Sequence, residues 1–120
     1  VAVPSDEPAR NAPVLRHVAV FKWKEDIEPA AVARLAAEID ALPAALPWIR
    51  RFHHGADLGL TDSSWDYAVV ADMDDDAAYL RYATDPIHQR VIREHLEPLL
   101  AARAACQFRL PDEPDGTRAL

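Results

Sequence analysis

The chain has 120 residues, 13 of them basic and 20 acidic, giving a formal charge of −7 with histidine neutral, and half of its residues are apolar. A chain of this length makes one small domain that buries roughly two-thirds of its unfolded surface, which excludes disorder throughout; the acidic balance, with Arg50-Arg51 as its largest basic cluster, excludes the footprint of a nucleic-acid binder or an acidic membrane surface as partner. The single cysteine, Cys106, excludes an internal disulfide and no His/Cys pair has a zinc spacing, so the expected setting is reducing and cytoplasmic, with no apolar run near the roughly 20 residues of a membrane helix.

Residues 1–13, with Pro4, Pro8 and Pro13, and residues 111–120, with Pro111, Pro114 and Gly116, have no periodicity. They are expected to be flexible tails around one domain spanning 14–110. From Val14 to Lys24 alternation sets Leu15, His17, Ala19, Phe21 and Trp23 on one face and Val18 and Val20 on the other. This predicts a strand in a sheet covered on both sides. Glu28-Pro29 opens a helix whose Val32, Leu35, Ala36, Ile39 and Leu42 share a face, with an end expected near Pro43. A second strand is predicted over Trp48–Leu58 and a third over Trp65–Met73, paired as an antiparallel hairpin across Gly59 and the turn Thr61–Ser64.

Asp74-Asp75-Asp76 then suits a helix start, since carboxylates satisfy unpaired N–H groups at the positive end of the dipole. That helix is short because Pro86 disfavours a helical Asp85, while Pro86 suits the first turn of a further helix capped by Asp85 or Thr84 and expected over Ile87–Ala101. A last strand is predicted over Ala104–Leu110. The order βαββαβ, with a proline break in its second helical unit, predicts an α+β, ferredoxin-like sandwich with a four-stranded antiparallel sheet.

Five histidines (17, 53, 54, 88, 95) and three tyrosines (67, 79, 82) are the groups suited to acid–base work near neutral pH. His17 shares its strand face with Phe21 and Trp23 and so points into an apolar layer, where a core histidine satisfied by one hydrogen bond is the simpler role. The densest constellation is Tyr82-x-x-x-Pro86-x-His88. The proline break folds both side chains toward one place, where a tyrosine hydroxyl donates to an oxygen gaining negative charge and a neutral histidine accepts a proton. The competing role is a packed Tyr82 beside an exposed first-turn His88. Asp72, Asp74, Asp75 and Asp76 carry oxygens for Mg²⁺ and His88 and His95 lie seven apart, but capping accounts for the acids and no metal site is assigned.

Leu15 to Lys24, the strand pair through Gly55 and Tyr67-Ala68-Val69-Val70, and the Tyr82-x-x-x-Pro86-x-His88 segment together resemble the Dabb family of stress-responsive dimeric α/β-barrel domains over residues 14–110. The resemblance implies a protomer that dimerises sheet to sheet, with a cavity between its own sheet and helices. Within that family it is similar to polyketide cyclases of the olivetolic acid cyclase type, which close a linear polyketide by intramolecular aldol condensation with a histidine base and a tyrosine. By position, the resemblance implies His88 as base and Tyr82 as oxyanion donor, assisted by His17, without a cofactor. The implied lining is Leu35, Ile39, Phe52, His54, Tyr67 and Val69, around a small apolar carbonyl or polyketide-like ligand. The chain departs from the family where Asp85 stands for a frequent histidine and where Tyr67 stands for a histidine of the plant cyclase.

Two other functions compete with the cyclase. One is a non-catalytic stress-responsive or ligand-binding dimer, whose pocket would be filled around Trp65, Tyr67 and Phe108. The other is a cofactor-free or haem-degrading monooxygenase of similar architecture, which ranks below because the only asparagine is Asn11. Length bears on the partner. Helices of one small unit cover one sheet face, leaving Val18, Val20, Ala68 and Val70 to be buried by a second copy in a homodimer of about 240 residues.

Overall fold

A computed structural model describes residues 14–111; the expected tails lie outside the described residues apart from Pro111. Alternating side chains produce β1 (Val14–Trp23), in which Leu15, His17, Ala19 and Phe21 are buried and Val18 and Val20 half-buried. With β2 (Ile49–Ala56), β3 (Tyr67–Met73) and β4 (Leu100–Leu110) it forms one sheet in the order β2-β3-β1-β4, antiparallel at every pair. Strands 2 and 3 are neighbours as their short link requires, and the sheet has the ferredoxin-like order.

Helix α1 (Pro29–Asp40) starts on a proline whose missing N–H costs nothing in the first turn, and it buries Leu35 and Ile39. The chain then differs from expectation at Pro43, which does not simply end the helical region but lies in the first turn of a short helix α2 (Leu42–Ala45). A proline cannot continue α1 but can begin a new turn, and the restart buries Leu42 and Leu46 in the core. Helix α3 (Asp76–Thr84) is capped by Asp75, whose carboxylate accepts from the Ala78 N–H at 2.9 Å. Asp85 is extended, as a residue before proline must be, and its carboxylate accepts from the Ile87 N–H at 2.8 Å to cap α4 (Pro86–Val91).

The single helix expected over Ile87–Ala101 is instead α4, a wide π turn over Ile92–Leu96 and a 3₁₀ turn over Glu97–Leu99. Pro98 has no N–H to continue an α-helical ladder, and changing pitch buries Val91, Leu96 and Leu99. Strand β4 consequently begins at Leu100, four residues before the expected Ala104, whereas β2 and β3 are shorter than expected because the residues around Gly59 and Thr61–Ser64 leave the ladder.

All helices lie on one face of the sheet, over a core that joins Phe21, Tyr67, Val69, Ala71 and Met73 to Leu35, Ile39, Tyr82 and Leu96. On the opposite face Val18, Val20, Ala68 and Val70 are half-buried and Phe108 is 47% exposed. Asp72 is fully buried on that same face, held by both oxygens by Arg16 at 2.8 Å and by Arg51 at 3.0 Å. Asp74 pairs with Arg50 and Asp76 with Arg109, so each member of the acidic run has a structural partner. Among the described residues no helix is long and apolar enough to cross a membrane.

Candidate functional site

The proline break determines the centre of the site. Asp85 closes α3 and opens α4, turning the chain so that the rings of Tyr82 and His88 come within 4.1 Å, centroid to centroid. The Gln89 side-chain amide donates to the Ala83 carbonyl and braces the corner. Strand β1 brings His17 up beneath this corner, 5.7 Å from the Tyr82 ring and 5.1 Å from that of Tyr79.

These four rings border a cavity of about 220 Å³ between the sheet and the helices. Its floor includes Ala19, Phe21, Phe52 and Val69, its far wall Leu35 and Ile39 of α1, and its β4 side Arg103 and Ala105. The expected residues His17, Leu35, Ile39, Phe52, Val69, Tyr82 and His88 all line it. His54 and Tyr67 do not. His54 instead bridges two elements, its Nδ1 2.6 Å from the Tyr67 hydroxyl and its Nε2 2.6 Å from Asp40 at the end of α1, so this pair ties the helix to the sheet beside the cavity wall. His53 points the other way and is exposed, and His95 lies on the π turn.

The cavity holds its two imidazoles and the Tyr82 hydroxyl uncharged. Burial, with the positive Arg103 and neighbouring His88 adding to it, lowers the His17 pKa to about 4. Burial also lowers that of His88, against the opposing pull of the Ala83 backbone and Asp85 and with a further push from Arg103. Tyr82 is pushed well above the ordinary tyrosine value by burial and by Tyr79 beside it, and remains a proton donor. The Gln107 amide donates to Nδ1 of His17 at 2.9 Å, so neutral His17 carries its proton on Nε2. Nδ1 of His88 is buried and has no hydrogen-bond partner among the described residues. Chemically, the site offers one buried imidazole nitrogen without a partner beside a tyrosine hydroxyl and a second imidazole fixed as a donor. No group of three or more metal-ligating side chains occurs among the described residues.

Arg103 and Gln107 were not legible in the sequence as lining or supporting residues, and Tyr79, named there only among the groups suited to acid–base work, is placed on the cavity by the structure. Arg103 and Gln107 reach the site because β4 pairs with β1, opposite Phe21 and His17 respectively. The alternation of β4 was the available signal, but it draws the eye to Ala104, Cys106 and Phe108, which share the outer face.

The model of the stress-responsive A/B barrel domain, Dabb, matches residues 15–110. A dimeric ferredoxin-like protein of unknown function from Thermobifida fusca YX is 36% identical, with a TM-score of 0.76 over 82% of this chain and 92% of that one. A Dabb protein from Mesorhizobium loti is 19% identical, with a TM-score of 0.67 over 80% and 95%. The hydroxynitrile lyase of Passiflora edulis is 15% identical, with a TM-score of 0.72 over 88% and 97%, and shares the fold. No curated protein matches the chain. With the four-stranded sheet, the helices on one face and a family model covering nearly all described residues, the chain belongs to the Dabb family of stress-responsive A/B barrel domains.

Proposed function

We propose that the protein is a small acid–base enzyme for an apolar carbonyl compound, of the polyketide cyclase kind, working without a cofactor. The observation that carries this reading is the cavity of about 220 Å³ in which the unpartnered, buried Nδ1 of His88 lies beside Tyr82. An apolar cavity of roughly 150 Å³ already admits benzene, so this one has room for a ring. In the proposed reaction His88 removes a proton α to a carbonyl. The resulting enolate oxygen accepts hydrogen bonds from Tyr82 and from Nε2–H of His17, its carbon forms a bond to a second carbonyl of the same molecule, and the new alkoxide takes the proton back from His88. Burial favours each starting state, since it keeps the histidines neutral and the tyrosine protonated.

The likeness to a hydroxynitrile lyase supports enzymatic use of this fold. An open cavity beside His88 speaks against the filled pocket that a purely structural dimer needs. The test is turnover of short linear polyketides or β-diketones: His88→Ala is expected to lower kcat/KM about 10²–10⁴-fold, with Tyr82→Phe lowering kcat. A His88→Ala enzyme that keeps wild-type turnover sinks the assignment. The functional unit is proposed to be a homodimer joined through the outer sheet face, as the Thermobifida relative described as dimeric supports.

A further inference from the structure

The cavity is lined by one permanently charged side chain, and the aldol chemistry does not use it. Arg103 stands opposite Phe21 in the β1–β4 ladder, so its side chain leaves the sheet on the face that carries Phe21 and His17, and it lines the cavity. The described ion pairs of arginine engage Arg16, Arg50, Arg51, Arg90 and Arg109, and Arg81 stacks on Trp48. Arg103 is in none of these contacts. A guanidinium does not give up its charge near neutral pH, and the groups it faces across the cavity, His17, Tyr82 and His88, are neutral.

We propose that Arg103 selects an anionic ligand: a small aromatic or enolisable compound bearing a carboxylate, which pairs with the guanidinium while its apolar body fills the space between sheet and helices. The planar fork of arginine matches a carboxylate with two parallel hydrogen bonds, which orients the ligand as well as holding it. Arg103 is itself solvent-exposed, so a carboxylate on it keeps partial hydration while the rest of the ligand reaches His88. Its charge disfavours the protonated forms of both His17 and His88; a bound carboxylate offsets that field and lets His88 hold the proton it removes. This inference rests on the cavity being the ligand site read above and adds the substrate class to it.

The test is calorimetric or ligand-observed NMR binding of two probes of like shape, 2,4-dihydroxybenzoate and its uncharged parent resorcinol. The wild-type protein is expected to bind the carboxylate about tenfold or more tightly than resorcinol, as a charge-assisted hydrogen-bonded pair allows. Arg103→Gln is expected to erase that preference while changing resorcinol affinity less than about twofold, and Arg103→Lys to keep part of it. Equal affinity of the two probes for the wild type, or a preference that survives in Arg103→Gln, overturns the assignment. Binding of neither probe overturns it together with the ligand-cavity reading. A His88→Ala enzyme with normal turnover sinks the acid–base reading alone and leaves the probe preference unaffected, so the two fail separately.

Discussion

The Gln107 side-chain amide lies 2.9 Å from Nδ1 of His17, directly across the β1–β4 ladder and 90 residues away in the chain. This one contact decides which imidazole nitrogen carries the proton in a histidine that the strand pattern alone marks only as inward-facing. Replacing the amide by a carboxylate, Gln107→Glu, is expected to raise the His17 pKa from about 4 toward or above the ordinary 6.5. Gln107→Leu is expected to leave it low, because burial persists. Carbon or nitrogen NMR titration of the His17 ring reads both.

Histidines of the unfolded chain protonate near 6.5, whereas folded His17 resists down to about 4. Between those values the unfolded state binds more protons, so stability falls as the pH falls through that window. The Tm is expected to drop between pH 6.5 and pH 4, and His17→Leu to flatten that drop. A His17→Leu protein with the same pH slope as the wild type contradicts the assignment.

The same logic applies to activity. His88 acts as a base only when neutral, and burial lowers its pKa, so the acid limb of kcat/KM against pH is expected below 6.5. Because Tyr82 is raised above the ordinary tyrosine value, its loss of a proton is expected to produce no basic limb up to pH 10. A limb near pH 9 would assign the donor elsewhere.

Arg16 and Arg51 hold Asp72 ionised: burial works to raise its pKa, and the hydrogen bonds and charge of Arg16, joined by Arg51, overcome it and hold the carboxyl below the usual range. Arg16→Met leaves a buried carboxylate with only the half-exposed Arg51 as partner, and a loss of about 2 kcal/mol at pH 7 is expected from such an incompletely paired charge. The difference from wild type is expected to shrink as pH is lowered through the Asp72 titration, where protonation removes the charge in both proteins. Chemical denaturation at pH 7 and pH 3 makes the comparison.

The outer sheet face yields a prediction about assembly. Light scattering at micromolar concentration is expected to give twice the 13.3 kDa chain mass, and Val70→Asp to give a folded monomer, since a charge among Val18, Val20 and Ala68 opposes burial against a second copy. A wild-type monomer at that concentration would refute the sheet-to-sheet dimer.

The fold was legible where the signal is local. The alternation of Val14–Trp23, the helical spacing of Leu35 and Ile39, and the capping signals of the run Asp74-Asp75-Asp76 and of Thr84-Asp85 lie in short windows, and the structure uses each, with Asp75 and Asp85 taking the two caps. The structure departs from the local signal where proline chemistry has two outcomes. Pro43 and Pro98 each forbid a continuing α-helical ladder, but whether the chain stops, restarts or changes pitch depends on which neighbouring leucines the core can take.

The site divides in the same way. By itself the sequence determined the element order, the inward face of β1 with His17, and the corner at Pro86 that joins Tyr82 to His88, because strand and helix periods and the restriction before proline act within a few residues. Only the tertiary structure decided that Arg103 and Gln107 come up beside His17 and that His54 turns to Asp40 and to the Tyr67 hydroxyl, leaving both His54 and Tyr67 outside the cavity. Those outcomes depend on the register of strands distant in the chain, and register follows from packing of whole faces, which no short stretch of residues encodes.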